Sequence, residues 1–579
     1  MFFLHSLKSA TSLKDVADLL GFKASALAYI LYKKDGASKY KSFEIPKKHG
    51  GIRKILAPSD ELKLMQRRLS DLLLDYNSEI KAHDGLKNQI SHGFEPDKSI
   101  VTNAECHRNR RYVFNADIKD FFGTINFGRV RGFFLKDKNF ELHETVATIL
   151  AQIVCHDNSL PQGSPCSPVI SNLIGHVLDV HFVKLAARSG CYYTRYADDL
   201  TFSTNLKTFP KAIATNVDGE NHSWIPGKEL ARLIKHCGFE LNPQKTRMQY
   251  RDSRQEVTGL VVNRKVNIRN EYRHHVRAMV HRLFSTGNFD FEQTVVDEKG
   301  NSTKTKTPGT LSQLHGMLGF IHGIDVYNKD RLHTPHYDHQ HSKLPRSKET
   351  IYRRFLLFKE FYAASAPVII CEGKTDNVYL VHAIRRLASD FPKLAAIEKD
   401  GAIKLMTRIF RYSDTSTGKI LGITGGGPCL KNFINLYRAE IKQFTAPGRF
   451  HPVILLVDND SGANEIYSTL KQIVKPPPSR NDPFVHVFGN LYVVPTPLLP
   501  GGGQSMIEDF FDSGIKSSVV SGKTFHPDSD ADTETHYGKV IFAHKVIRTN
   551  ADTIDFSGFK EILANLTAVI DEHAKRFPS

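Results

Sequence analysis

Two adjacent aspartates, Asp198 and Asp199, fall in a run that has little choice but to form a β-hairpin, YYTRYADDLTF (192–202). Tyr, Thr and Phe favour strands, and the acidic pair stands where the chain must turn. The tip of an apolar hairpin then carries two like charges, which is costly unless a cation sits there. A third acid fits the same demand. In VFNADIKDFF (113–122) an apolar strand carries Asp117 near its end. Such carboxylates suit Mg2+, a hard cation that takes oxygen ligands and leaves room in its shell for water and phosphate. Two such ions can serve phosphoryl transfer, one at the attacking hydroxyl and one at the leaving pyrophosphate. Taken alone, however, an acidic pair is more often a solvated turn.

Composition narrows the partners. Lys and Arg exceed Asp and Glu by 78 − 61 = 17, which favours polyanions because neutralised phosphates release counterions. The 579 residues allow two to four domains. Seven cysteines are scattered singly, with no CxxC pair, so neither a zinc site nor a disulfide framework is expected. No run approaches the ~18–20 apolar residues of a membrane helix. The N-terminus lacks the basic region and cleavage site of a signal peptide. A cytoplasmic protein without a membrane partner is the expectation.

Along the chain, residues 43–57 alternate like two strands joined by Gly50–Gly51, and an amphipathic helix is expected near 60–78. A strand, turn and helix run from Arg111 to Gly132, with helices over 143–156 and 168–188. Residues 271–325 read as helical and basic. The polar, His-rich, Pro-broken stretch 327–348 reads as a linker. A new pattern begins at Pro367: VIICEG, PVILLVDND (452–460) and LYVVP (491–495) are very apolar strands separated by helical segments. Such alternation implies a mostly parallel sheet, with acids at the strand ends where α/β sites form.

Six ordered segments resemble reverse transcriptases. They are IPKKHGGIRKILAP (45–58), NADIKDFFGTIN (115–126), LPQGSPCSPVISNL (160–173), YADD (196–199), GFELNPQKTRM (238–248) and VTGLVVN (257–263). The resemblance covers roughly residues 20–325. It implies that Asp117 and Asp198 ligate both metal ions, with Asp199 assisting. Phe122, five residues after Asp117, would exclude ribonucleotides by clashing with the 2′-hydroxyl. Gln162 and Gly163 would lie against nucleotide and template, Lys47 and Arg53 would hold the triphosphate, and Lys245 would stand by the leaving pyrophosphate. NAECH (103–107) and VTG (257–259) are similar to two hallmarks of the retron group. That likeness implies a structured noncoding RNA as template, priming from a guanosine 2′-hydroxyl, and a branched product of RNA joined to single-stranded DNA. Asn103, His107, Arg273 and Arg277 are the candidate RNA contacts, and deoxynucleoside triphosphates the substrates.

A second constellation stands apart. PVIICEGKTDNVYL (367–380) places Glu372 in a strand-to-helix turn, and VILLVDND (453–460) ends in Asp458 and Asp460. Residues i and i+2 share a face, so both aspartates can converge on a cation. The pattern resembles the TOPRIM signature, and SMIEDFFD (505–512) adds Glu508 and Asp509, similar to an acidic element of TOPRIM nucleases. GITGGGP (422–428) reads as a plain loop. The expected fold is multidomain, α+β followed by α/β: fingers and palm over 1–270, a helical thumb over 271–326, a linker over 327–360 and a TOPRIM domain with a mostly parallel sheet over 361–579. The expected function is a Mg2+-dependent retron reverse transcriptase with a fused metal-dependent nuclease acting in defence against bacteriophage. In the alternative, the TOPRIM domain processes or only binds the enzyme's own product. Assembly into a homo-oligomer around bound nucleic acid is left open.

Overall fold

The structure is a computed structural model, and it describes residues 2–46, 52–83, 90–217, 223–296, 302–331, 347–527, 532 and 534–578. The chain divides into two compact units. The first holds residues 1–273, 292–305 and 323–334, and the second holds 274–291, 306–322 and 335–579.

In the first unit, β1 (Tyr40–Pro46) and β2 (Ile52–Pro58) form an antiparallel hairpin with Ile45 opposite Arg53. The Gly50–Gly51 turn expected there, and Lys47, lie outside the described residues. A long helix, α1 (Asp60–His83), follows, and α2 (Ile100–Cys106) is capped by the Ser99 hydroxyl. Then come β3 (Tyr112–Asp117), α3 (Ser167–Arg188), β4 (Tyr192–Tyr196), β5 (Asp199–Thr204) and β6 (Arg247–Tyr250). The four strands make one sheet in the order β4-β5-β3-β6, all antiparallel neighbours. This order places the end of β3 beside the β4–β5 turn. Helix α3 is long and apolar enough to span a membrane by composition, yet two-thirds of its apolar window (67%) is buried against the unit's core.

The segment expected to be a helical thumb is not all helix. Helix α4 (Asn270–Thr286) is followed by a two-stranded hairpin, β7 (Asp290–Val296) and β8 (Ser302–Pro308), before α5 (Leu311–Arg331). In β8, STKTKTP, β-branched Thr alternates with Lys, a pattern that suits a strand. Helices also occupy both ends of the expected linker: α5 runs to Arg331 and α6 (Ser347–Leu357) begins well before residue 360.

The second unit is built on β9 (Val368–Cys371), α7 (Asp376–Arg386), β10 (Arg408–Ile409), α8 (Gly427–Glu440), β11 (Val453–Val457), β12 (Val485–Phe488), β13 (Leu491–Pro495) and α9 (Lys560–Arg576). Its sheet runs β10-β9-β11-β13-β12, with every neighbouring pair parallel except the β13–β12 edge. Strands β9, β11 and β13 are buried throughout. Burial on both faces explains why they read as unbroken apolar runs rather than alternating ones.

Candidate functional site: two carboxylate clusters

In the first unit, Asp117 ends β3 directly opposite Asp199 at the start of β5. Antiparallel partners stand about 4.5–5.5 Å apart at Cα, so the register alone gathers two of the acids. Asp198 sits between them in the Tyr196–Asp199 turn, and its carbonyl accepts from Ile118 N at 2.9 Å. The turn is strained: Ala197 has φ +53°, a left-handed conformation rare without glycine. Its surroundings are tight. A Cβ on Gly93 would lie 2.6 Å from Ala197 N, so only glycine lets that loop lie on the turn.

The acids repel one another. Burial first, then Asp117, raises the Asp198 carboxyl above its ordinary range, while Lys245 and Arg53 pull it down. Asp199 is pushed up to about 7 by burial, Asp198 and Asp117; its exposed edge gives solvent room to moderate that rise. Lys245 Nζ lies 2.8 Å from Asp117 Oδ2 and is raised by its three acidic neighbours, although burial works against it. Negative charge therefore exceeds its resident compensation, which fits a divalent cation. Among the described residues no three His, Cys, Asp or Glu groups already form a closed metal cage. Asp117 is turned to Lys245 instead, and polymerase ions take part of their shell from phosphate and water.

The other expected residues fall as follows. Phe122 is half-buried beside the acids' strand and packs edge-on against Phe94 and Phe121, with ring centroids 6.3 and 5.7 Å away. Gln162 O accepts from Leu56 N at 2.8 Å, and a Cβ on Gly163 would stand 2.6 Å from Leu56 O. Gly163 is thus required by the approach of β2, whatever else it meets. Arg53 is exposed on β2, near enough to affect Asp198.

Two candidate RNA contacts are corrected. Asn103 and His107 are buried. His107 bridges Ser203 Oγ and Thr194 Oγ1, both at 2.7 Å, and Asn103 Oδ1 accepts from Thr194. They brace the β4–β5 hairpin from inside and face no solvent. Burial, with help from Arg110 and His92, pushes the His107 imidazole down to about 3. Arg273 is held by Asp325, at 2.9 and 3.1 Å, and by Asn267. Arg277 alone of the four is exposed. Thr258, in the left-handed region at φ +48°, donates to Ile100 O at 3.1 Å, so the VTG segment meets the first residue of α2, the helix that carries most of NAECH.

In the second unit, Glu372 follows β9 and accepts from Asp458 N at 3.3 Å. Asp458 follows β11, and its Oδ1 accepts from Ile507 N at 2.9 Å. Asp458 is pushed up to about 8 by burial, Asp376, Glu508 and Glu372. Glu508 is buried; its Oε2 meets Lys539 Nζ at 3.0 Å, while its Oε1 has no hydrogen-bond partner among the described residues. An orphaned buried carboxylate oxygen among raised acids fits a cation. Two members escaped sequence reasoning. Asp376, buried at the start of α7, accepts from Gly373 N at 2.7 Å and reads from sequence as a helix-start acid. Lys539 has no sequence signal at all. Asp460 raises the Glu372 carboxyl beside Asp458, and its Oδ1 also caps the following turn, accepting from Gly462 N at 2.8 Å. Asp509 likewise caps its own turn through Met506 N. The GITGGGP loop delivers Gly427 N to the Glu372 carboxylate.

Known proteins match the first cluster. Residues 45–278 fit the family model described as reverse transcriptase (RNA-dependent DNA polymerase). The Mx65 retron reverse transcriptase of Myxococcus xanthus is 34% identical over 286 residues, 46% of this chain and 62% of the relative. The Mx162 enzyme of the same organism is 31% identical over 55% of this chain and 65% of its own length, and the Ec86 enzyme of Escherichia coli 30% identical over 56% and 88%. The chain thus spans slightly less than two-thirds of the two Myxococcus relatives. A solved telomerase from Candida tropicalis aligns with a TM-score of 0.28 at 12% identity over 55% of this chain and 56% of that one, too slight a likeness to carry weight.

Proposed function

The chain belongs to the retron reverse transcriptase family, and from that premise we propose that it copies a structured RNA into DNA that stays joined to RNA through a branch. The observation that carries this is Asp117 facing Asp199 with Asp198 in the turn between. Mg2+ held by Asp117 and Asp198 would make the attacking hydroxyl a better nucleophile and neutralise the leaving pyrophosphate. The hydroxyl oxygen, from a guanosine 2′ position at the start and a 3′ end thereafter, would lose its proton to water and form a bond to the α-phosphorus as the bond to pyrophosphate breaks. Lys245, now paired with Asp117, would move to the departing phosphate. Arg53 would steer the triphosphate by a forked contact, and Phe122 would crowd a 2′-hydroxyl.

The second unit would be a TOPRIM nuclease, with Glu372, Asp376, Asp458 and Glu508 around a divalent cation, Asp460 beside Glu372, and Lys539 as resident counter-charge. Its role would be an effector in defence against bacteriophage. In the second reading it trims or holds the polymerase product. The Glu508 oxygen left without a partner among the described residues suits a bound cation, which cleavage would require.

The decisive experiment is to purify the protein and sequence the nucleic acid that accompanies it. A covalent RNA–DNA branch, lost in Asp198→Asn, is expected; unbranched or absent DNA refutes the retron chemistry. Glu372→Gln and Asp458→Asn should abolish phage protection while leaving DNA of unchanged length. A changed length would favour processing, and intact protection would remove the effector role.

A further inference from the structure

Beneath the Tyr196–Asp199 turn lies a charge that polymerisation as described leaves without a task. Arg195 is fully buried. Its guanidinium forks onto Asp179 of α3, Nε to Oδ1 at 2.9 Å and Nη2 to Oδ2 at 2.8 Å. The remaining nitrogen donates to Asn172 Oδ1 at 3.2 Å and to the carbonyl of Ala197 at 3.3 Å. Asp179 also accepts from the Tyr193 hydroxyl at 2.9 Å, and Asn172 Nδ2 donates to Gly93 O at 2.8 Å. The Arg195 backbone pairs with Ile90 O and His92 N at 2.9 and 2.8 Å. One network therefore ties the core helix, β4 and the His92–Phe94 loop to the left-handed residue that precedes Asp198. The fold makes room for it: a Cβ on Gly175 of α3 would stand 2.8 Å from Arg195 Cζ. On its other side the pair borders a cavity of about 430 Å³, so hydrogen bonds as much as packing fix the guanidinium.

A buried ion pair is a poor source of stability, since apolar residues of similar volume serve as well or better. What a forked guanidinium does supply is direction. Here its free nitrogen reaches the carbonyl of a strained residue that would relax if released. We propose that Arg195 and Asp179 are positioning residues for the polymerase acids: they hold Ala197 in its left-handed conformation and so set where the Asp198 and Asp199 carboxylates point. The inference rests on the polymerase reading.

The test removes the pair without leaving a lone buried charge. On a Tyr193→Phe background, which removes the hydroxyl that Asp179 accepts from, the double variant Arg195→Met/Asp179→Leu is expected to melt no earlier than its parent. Its kcat for RNA-templated DNA synthesis should fall roughly 10- to 100-fold, the range for a misplaced reacting group, with KM for primer–template unchanged. Mn2+ binding to the polymerase site, followed by electron paramagnetic resonance in protein carrying Asp458→Asn, should weaken in parallel. Gly175→Ala, which presses on the guanidinium from a helix that tolerates alanine, should lower kcat in the same direction, and it decides the matter if the double variant does not fold. A folded double variant, or the alanine variant in its place, with parental kcat and Mn2+ affinity overturns the positioning role alone. A parent protein with no RNA-templated synthesis refutes the polymerase reading and takes this inference with it.

Discussion

Asp458 offers the sharpest physical test of the second cluster, because its carboxyl is pushed up to about 8 by burial and by Asp376, Glu508 and Glu372. An acid whose folded pKa lies above its unfolded value of about 4 binds more protons folded than unfolded between those two pH values. Stability therefore falls as pH rises through that window. Taken at face value, the shift costs about 2 kcal/mol at pH 5 and about 5 kcal/mol at pH 8. Asp458 keeps some exposure and shares its charge with three other acids, so a difference of roughly 2 kcal/mol between pH 5 and 8 is the working figure. Asp458→Asn keeps an oxygen to accept from Ile507 N but cannot ionise. In urea titrations with EDTA, followed by far-UV circular dichroism, the parent should lose that margin relative to the variant on going from pH 5 to pH 8. Saturating Mg2+ should restore most of it. Trp224 is the sole tryptophan and belongs to the first unit, so its fluorescence transition should not move. Parallel stability–pH lines for parent and variant would refute the buried-cluster account.

Other outcomes follow from the same geometry. Phe122→Ala should narrow the preference for dATP over ATP, in kcat/KM, by roughly 10- to 100-fold; an unchanged ratio removes the gate. His107→Ala strands the Thr194 and Ser203 hydroxyls and should cost about 1–3 kcal/mol in the Trp224-monitored transition, with RNA affinity intact. Because the His107 imidazole is held far below its ordinary value, its contribution is full above about 6.5 and fades as pH falls toward 3; that acid limb should shrink in the variant. RNA affinity lost at normal stability would instead reinstate a direct contact. Lys539→Met leaves Glu508 buried and unpaired, so it should destabilise the second unit by about 3 kcal/mol at pH 8, and Mg2+ should offset part of the loss.

Much of both sites was legible because strand chemistry is local. Asp117, Asp198 and Asp199 announce themselves by sitting at the ends of β-rich runs, and β9, β11 and β13 by apolar runs too short for helices and too continuous for half-exposed strands. The β7–β8 hairpin was missed for the converse reason. The Thr–Lys alternation of β8, STKTKTP, was lost within a basic stretch that otherwise reads as helix. Asn103 and His107 were misjudged because a polar residue looks the same in sequence whether it faces water or a buried threonine. Their partners lie 91 and 87 residues away, on Thr194.

The same blindness hides how each cluster balances its charge. Asp117 depends on Lys245, 128 residues on, and Glu508 on Lys539, 31 residues on. Neither spacing has a meaning until the fold closes. Yet these pairings explain why, among the described residues, neither cluster forms a finished metal cage despite its raised acids. In each, an ammonium group occupies one carboxylate oxygen that a cation would want. If a divalent ion enters either centre as proposed, it would exchange with that lysine, and the lysine so freed would become available to a phosphate.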